Sequence, residues 1–474
     1  MTNSYTSLQE MQREIASGEI TVEKLVRGYL NKISANAHLN AFNEVFEQEA
    51  LICAQKVDLR IKQGIAGKLA GMVIAIKDNI CYKGHKVSAS SKILKGFTSV
   101  YSSTIVERLL AEDAVIIGRT NCDEFGMGAS NENSFFGAVK NYADETRVSG
   151  GSSGGSAVAV QAGMCHAAIG TDTGGSVRQP ASFCGLVGLK PTYGRISRHG
   201  IIAYASSFDQ VGPITRSVED AALLLEVMAG ADDYDSTLAN VEVPSYQDNI
   251  KGPSKKRIAY LQEALSSPGV DDEVKSNLIK YIEKLRAEGH TVEPIAFEYL
   301  DYLVPAYYIL AMAEASSNLS RYDGVHHGYR SAAATDLVST YKRSRSEGFG
   351  KEVKRRIMLG TFVLSAGYYD AYFARAQKVR RLIREKTDAI LKEFDFILLP
   401  TAPEPAFAIG KGEKDPVVTY LSDIFTVQAS LTGVPAISLP TGNNSRGLPL
   451  GLQLLTRHFE EQQLLNFSKY FLEL

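Results

Sequence analysis

Residues 150–156 read Gly-Gly-Ser-Ser-Gly-Gly-Ser, and residues 170–180 read Gly-Thr-Asp-Thr-Gly-Gly-Ser-Val-Arg-Gln-Pro. Glycine beside serine allows two kinds of chemistry. It lets the backbone turn so that successive N–H groups converge on one point, which is how peptide amides hold an anion or a developing oxyanion. It also presents a hydroxyl that becomes a nucleophile once a neighbour takes its proton. Gly150-x-Ser152-x-Gly154 fits the nucleophile-elbow pattern of serine hydrolases. A flexible linker is the plain alternative. Linkers are rarely followed at once by a stretch as apolar as Ala157 to Met164. A phosphate loop would need the lysine of a Walker motif, and none follows these glycines.

The missing part is a base. None of the eight histidines stands in a suggestive context, whereas Lys77 closes the apolar run Gly71 to Ile76. Burial at such a place disfavours the ammonium form and lowers the pKa of a lysine. A lysine tuned towards neutrality is a base near pH 7. The residues alone leave open which serine attacks, and a surface lysine at a strand exit is the alternative for Lys77.

Taken together, Lys77 in Ile-Ala-Ile-Lys-Asp-Asn, Ser152 in the first cluster and Ser176 in the second resemble the amidase signature family. The two serines are 24 positions apart, as that family's pattern requires. The similarity continues through Gly185 to Gly194 and Gly433-Val-Pro-Ala-Ile-Ser, and it covers almost the whole chain. The stretches Met127 to Ser134 and Glu314 to Gly324 narrow the resemblance to the glutaminase subunits of tRNA-dependent amidotransferases. A departure is the stretch Thr426 to Leu431.

The resemblance implies Ser176 as acyl-ester nucleophile, Ser152 as proton relay and Lys77 as general base, with the amides of Thr173, Gly174 and Gly175 as oxyanion hole. In this mechanism Asp172 and Arg178 pair to brace the loop, with a solvent-exposed Arg178 as the alternative. For glutamine it places Arg356 on the carboxylate, and Asp423 and Tyr307 on the amino group, with Arg355 and Tyr308 as adjacent alternatives. The implied reaction releases ammonia for conversion of glutamyl-tRNA(Gln) to glutaminyl-tRNA(Gln). The implied partners are a B subunit, which binds tRNA and uses ATP with Mg²⁺, and a small C subunit; no cofactor is expected in this chain. A stand-alone amidase acting on small or aryl amides is the alternative.

These residues need elements to hold them. Ser7-Leu-Gln-Glu10 is a capping-box pattern, a second helix starts near Thr21, and the first sixty residues read as helices. Strands are expected at Gly71–Ile76 and Ala114–Ile117, with a helix over Ile105–Leu110 between them. A helix near 155–163 and a strand near Ala167–Thr171 separate the two glycine clusters. Ser217 caps a helix ending at Met228. Arg257–Leu261, Asp272–Glu288 and Thr291–Ile295 form a strand–helix–strand unit, the region 301–395 is mostly helical, and Phe396–Leu399 and Ala436–Leu439 are late strands. With no repeat and no long polar linker, the chain reads as one α/β domain over 1–474, a mixed central β-sheet covered by helices on both faces. Within it lie a helical N-terminal segment (about 1–65), a catalytic core (about 66–230 and 395–474) and a helix-rich substrate side (about 255–395).

Bulk composition agrees with a large soluble enzyme. The 474 residues are 45% apolar and 22% charged, with net charge −2. That balance argues against a free-standing nucleic-acid binder. The basic clusters Lys255-Lys256-Arg257 and Arg380-Arg381 read as solvated edges. Five cysteines without Cys-x-x-Cys spacing fit a reducing cytoplasm, the histidines show no metal-ligand spacing, and no run is long and apolar enough for a membrane span.

Overall fold

The computed structural model describes residues 5–248, 250, 254–411 and 420–474. Its strands are β1 (Phe42–Val45), β2 (Val73–Lys77), β3 (Val115–Thr120), β4 (Ala167–Asp172), β5 (Val187–Lys190), β6 (Gln210–Thr215), β7 (Arg257–Leu261), β8 (Thr291–Ile295), β9 (Phe396–Pro400), β10 (Ala436–Asn443) and β11 (Pro449–Leu455). They form one sheet in the order β1-β3-β2-β4-β6-β5-β10-β11-β9-β7-β8. The sheet is mixed. β2 runs parallel to both β3 and β4, and β7 is parallel to β8 and β9, while the joins through β6, β5, β10 and β11 are antiparallel.

Side-chain alternation explains why helices cover both faces. In β2, Ile74 and Ile76 pack with Ile169, Leu189 and Val211 on one side. Val73 and Ala75 pack with Val115, Ile117 and Ala168 on the other. The helix Gly154–Gln161 buries Ala157 to Val160 in the second layer, and the helix Val218–Met228 buries Leu223 to Leu225 in the first. Each fully buried aliphatic side chain contributes about 1.5–3 kcal/mol, enough in sum to hold polar groups at the centre.

Most expected elements form where their patterns predict. Ser7 and Thr21 cap the helices Leu8–Ala16 and Val22–Ala35, each accepting from the amide three residues on, and Ser217 caps Val218–Met228 in the same way. The N-terminal sixty residues are not all helical, however. Phe42–Val45 is an edge strand antiparallel to β3. Four residues are too few to show alternation, and the pairing partner lies more than seventy residues away. Arg380 also differs from expectation. It is partly buried, donates to Leu431 O and to Ser207, and lies 4.1 Å from the Phe208 ring centre, whereas Arg381 is exposed.

The layout decides where chemistry can occur. Parallel strands open a crevice at their carboxyl ends. Lys77 is the last residue of β2 and Asp172 the last of its parallel neighbour β4, so both emerge on the same edge of the sheet.

Candidate active site

Lys77 is fully buried, and its amine is held by three oxygens. It donates to Ser152 Oγ at 2.7 Å, to Ser153 Oγ at 2.8 Å and to the Thr171 carbonyl at 3.3 Å. Burial takes its pKa down to about 8, a fall resisted by Cys122, Asp123, Asp172 and Asp209 nearby. An amine poised there is a proton acceptor at neutral pH.

Ser152 and Ser176 are 1% and 7% exposed. The Ser176 carbonyl accepts from the Ser153 N–H at 3.2 Å, which joins the second glycine loop directly to the first. Among the described residues no hydrogen bond links Ser152 to a histidine, so the arrangement is Lys–Ser rather than His–Ser. Beneath Ser152, the buried Asp123 carboxylate accepts from the amides of Asn131 (2.9 Å) and Asn133 (3.1 Å). A Cβ added to Gly151 would meet that carboxylate at 2.2 Å, so only glycine fits there.

Asp172 and Arg178 pair face to face, with Nε to Oδ2 and Nη2 to Oδ1 both at 3.0 Å and both side chains wholly buried. Burial alone would raise the Asp172 carboxyl; the Arg178 charge and hydrogen bonds hold it below its ordinary value. Arg178 also donates to Thr426 O, Gln453 Oε1 and Ser430 Oγ, so the fork ties the loop to β11 and to the helix Val427–Thr432. Asp172 further accepts from the amides of Gly175 (2.9 Å), Val177 (3.2 Å) and Arg178 (3.4 Å). Of the three amides expected in the oxyanion hole, that of Gly175 is therefore engaged by Asp172. The amides of Thr173, Gly174 and Ser176 have no such bond among the described residues. Gly175 sits at φ +135°, and a Cβ there would strike Thr426 Oγ1 at 2.3 Å. Thr426 itself donates to the Gly174 carbonyl at 2.6 Å, so the stretch that departs from the family's pattern supplies a clamp on the loop.

A cleft of about 550 Å³ is lined by Gly128, Ser130, Glu352, Arg356 and Tyr420, among others. Of the adjacent arginines, Arg356 is the buried one, donating to Glu352 Oε1 at 2.9 Å and Tyr204 Oη at 2.8 Å. Its guanidinium also faces the rings of Tyr308 and Tyr420. Arg355 is partly exposed and pairs with Glu352. The two tyrosines divide the work. The Tyr307 ring packs so closely on Gly174 that an added Cβ would lie 2.5 Å from its hydroxyl. Tyr308 donates to Asp423 Oδ2 at 2.8 Å. The Asp423 side chain thus turns to Tyr308, while only its backbone carbonyl receives the amides of Thr426 and Val427; burial pushes its carboxyl to about 7 against the pull of Tyr308 and Arg356.

The family model for Amidase matches residues 24–465. The chain belongs to the Amidase family. Among its relatives, the A subunit of glutamyl-tRNA(Gln) amidotransferase from Chlorobium limicola is 49% identical over 472 residues, 98% of each chain. The protein of the same name from Salinibacter ruber is 45% identical over 512 aligned positions, covering 99% of this chain and all of that one. Among solved amidase-fold structures, the corresponding glutamyl-tRNA(Gln) amidotransferase chain of Thermotoga maritima superposes with TM-score 0.78 at 40% identity, covering 94% of this chain and 90% of that one. A peptide amidase from Stenotrophomonas maltophilia gives TM-score 0.80 at 30% identity, covering 98% and 95%. Membership fits the geometry: a buried lysine, two glycine-flanked serines and a braced loop lie at the carboxyl edge of a mixed sheet.

Sequence reasoning missed Ser153, Asp123, Tyr204, Asp209 and Thr426. Ser153 stood inside the quoted motif but only its neighbour was singled out. The others are polar residues in loops, and no local spacing marks them. Among the described residues no group of three or more His, Cys, Asp or Glu side chains is placed to hold a metal, and no helix is long and apolar enough to cross a membrane.

Proposed function

We propose that this chain is the glutamine-hydrolysing component of a glutamyl-tRNA(Gln) amidotransferase. The observation that carries the reading is the buried hydrogen bond from Lys77 to Ser152, joined to the Ser176 loop through the Ser153 amide. Near-half identity to proteins of that name over almost their whole length supports the choice of substrate.

In this reading Ser176 Oγ attacks the side-chain amide carbon of glutamine. Its proton passes to Ser152, whose own proton passes to neutral Lys77. The amides of Thr173, Gly174 and Ser176 receive the developing oxyanion; losing one such donor costs roughly 3–4 kcal/mol of transition-state stabilisation. As the intermediate collapses the relay returns a proton to the departing nitrogen, leaving ammonia and a glutamyl ester on Ser176. Water then releases glutamate by the same relay. Arg356 holds the α-carboxylate through a planar fork suited to two parallel bonds. Asp423, with Tyr307 and Tyr308 around it, holds the α-ammonium.

The ammonia serves a B subunit, which binds tRNA and holds ATP and Mg²⁺, and a small C subunit completes a cytoplasmic heterotrimer. A net charge of −2 accords with tRNA being gripped by another chain. The chain reads as one amidase domain, since its sheet takes strands from the first hundred residues to the last thirty.

The likeness to a peptide amidase favours, as a second reading, a stand-alone amidase of other amides. Ammonia release from glutamine separates the two. The chain assembled with B and C subunits should release ammonia faster when ATP and glutamyl-tRNA(Gln) are added. Turnover of simple amides with glutamine ignored under every condition would favour the second reading.

A further inference from the structure

We propose that Asp209, which lies outside the triad and the substrate contacts, is a positioning residue that couples the nucleophile loop to the arginine of the carboxylate site. Asp209 is 5% exposed and immediately precedes β6, whose Gln210 pairs with Asp172 at the end of β4. That register sets its carboxylate between two loops. On one side Oδ1 accepts from the Thr173 hydroxyl at 2.7 Å. On the other, the carboxylate accepts from the Tyr204 amide at 2.9 Å and from the Ala205 amide at 3.2 and 3.1 Å.

Both ends of this bridge lead into the site. Thr173 carries one of the free amides of the nest. The Tyr204 hydroxyl accepts from Arg356 at 2.8 Å, and the Tyr307 ring lies on Gly174, next to Thr173. Thr173, Asp209, Tyr204 and Arg356 therefore form one chain of contacts from the nest to the arginine, with the Asp209 carboxylate joining its two halves. No ion pair within 4 Å joins Asp209 among the described residues; its direct partners are hydrogen-bond donors, while Arg198 and Lys77 act on it only at longer range. A buried carboxylate held this way fixes the geometry of its donors, because any donor that leaves exposes an unsatisfied charge.

The two ends predict different kinetic signatures. Thr173→Val cuts the bridge at the nest and lowers kcat with little rise in KM for glutamine, and Thr173→Ser restores most of the loss. Tyr204→Phe frees Arg356 and raises KM several-fold more than it lowers kcat. Asp209→Ala does both, with kcat down about 10²-fold, the scale of a small misplacement of reacting groups. Because the acts are coupled, adding Thr173→Val to Asp209→Ala costs no further kcat.

Asp209→Asn guards against a folding failure. Its oxygen can still receive the Tyr204 and Ala205 amides while its NH₂ donates to Thr173 Oγ1, so it keeps the loop and perturbs kcat more than KM. This inference rests on the glutamine reading only for the Tyr204 arm. If the wild-type chain ignores glutamine but hydrolyses a simple amide, that reading fails, and the Asp209–Thr173 cycle is measured on the simple amide. The experiment is steady-state kinetics of these variants, with thermal unfolding alongside. Coupled kcat losses are expected, with the unfolding midpoint of Asp209→Asn close to that of wild type. Wild-type kcat in Asp209→Asn and Asp209→Ala, or losses at Asp209 and Thr173 that simply multiply, would overturn the proposal.

Discussion

Lys77 and Ser152 are 75 residues apart in the chain and 2.7 Å apart in the fold, and neither is more than 1% exposed. A strand and a helix make that meeting. β2 delivers the lysine to the carboxyl edge of the sheet, and the helix Gly154–Gln161, packed beside β4, starts two residues after the serine. The pair is costly in isolation, since a buried ammonium lacks its hydration. Here that cost is what tunes the base.

The tuning sets a pH profile. With Lys77 near 8, the neutral fraction grows as pH rises, so kcat/KM for an amide climbs through neutrality and levels above about pH 8. Lys77→Met removes the base and lowers kcat by about 10²–10⁴-fold.

The same substitution has a stability signature. Burial places the folded pKa of Lys77 below its unfolded value of 10.5, so between about 8 and 10.5 the unfolded chain binds more protons. Stability contributed through Lys77 therefore increases as pH rises across that window. Urea unfolding of wild type and Lys77→Met at pH values spanning it should show the wild type gaining relative to the variant.

Arg178→Met breaks a wholly buried ion pair and leaves Asp172 uncompensated. It should destabilise the protein by roughly 3–5 kcal/mol and abolish turnover, as measured by denaturant unfolding and ammonia release. Arg178→Lys should recover little, because a single ammonium cannot reach both carboxylate oxygens along with Thr426 O and Gln453.

Asp423 must be ionised to hold the substrate's ammonium, and its carboxyl lies near 7. KM for glutamine should therefore fall as pH rises through about 7 while Asp423→Asn flattens that dependence and raises KM. An amide without an α-amino group should show neither effect.

Gly175→Ala tests the nest directly. The added Cβ meets Thr426 at 2.3 Å at a φ of +135° that alanine resists. A loss of about 10²-fold or more in kcat is expected, the cost of misplacing an oxyanion donor.

The local patterns were legible where one element carries its own signal. The apolar run before Lys77, the caps at Ser7, Thr21 and Ser217, and the two glycine clusters all name their structures in a few adjacent residues. Phe42–Val45 did not, because an edge strand of four residues depends on β3 for its identity. Nor did Arg380, whose charge suggests solvent while its partners, Ser207 and Leu431, lie far along the chain. Tyr204 and Asp209 are the functional counterpart: their meaning lies in Arg356 and Thr173, 152 and 36 residues away.

The measurement that tests the catalytic roles most directly is the site of acylation. Acid-quenching the enzyme during glutamine turnover and mapping its peptides by mass should find one glutamyl group on Ser176, absent from Ser176→Ala and accumulating little in Lys77→Met. A glutamyl group on Ser152, or undiminished turnover by Ser176→Ala, would contradict them.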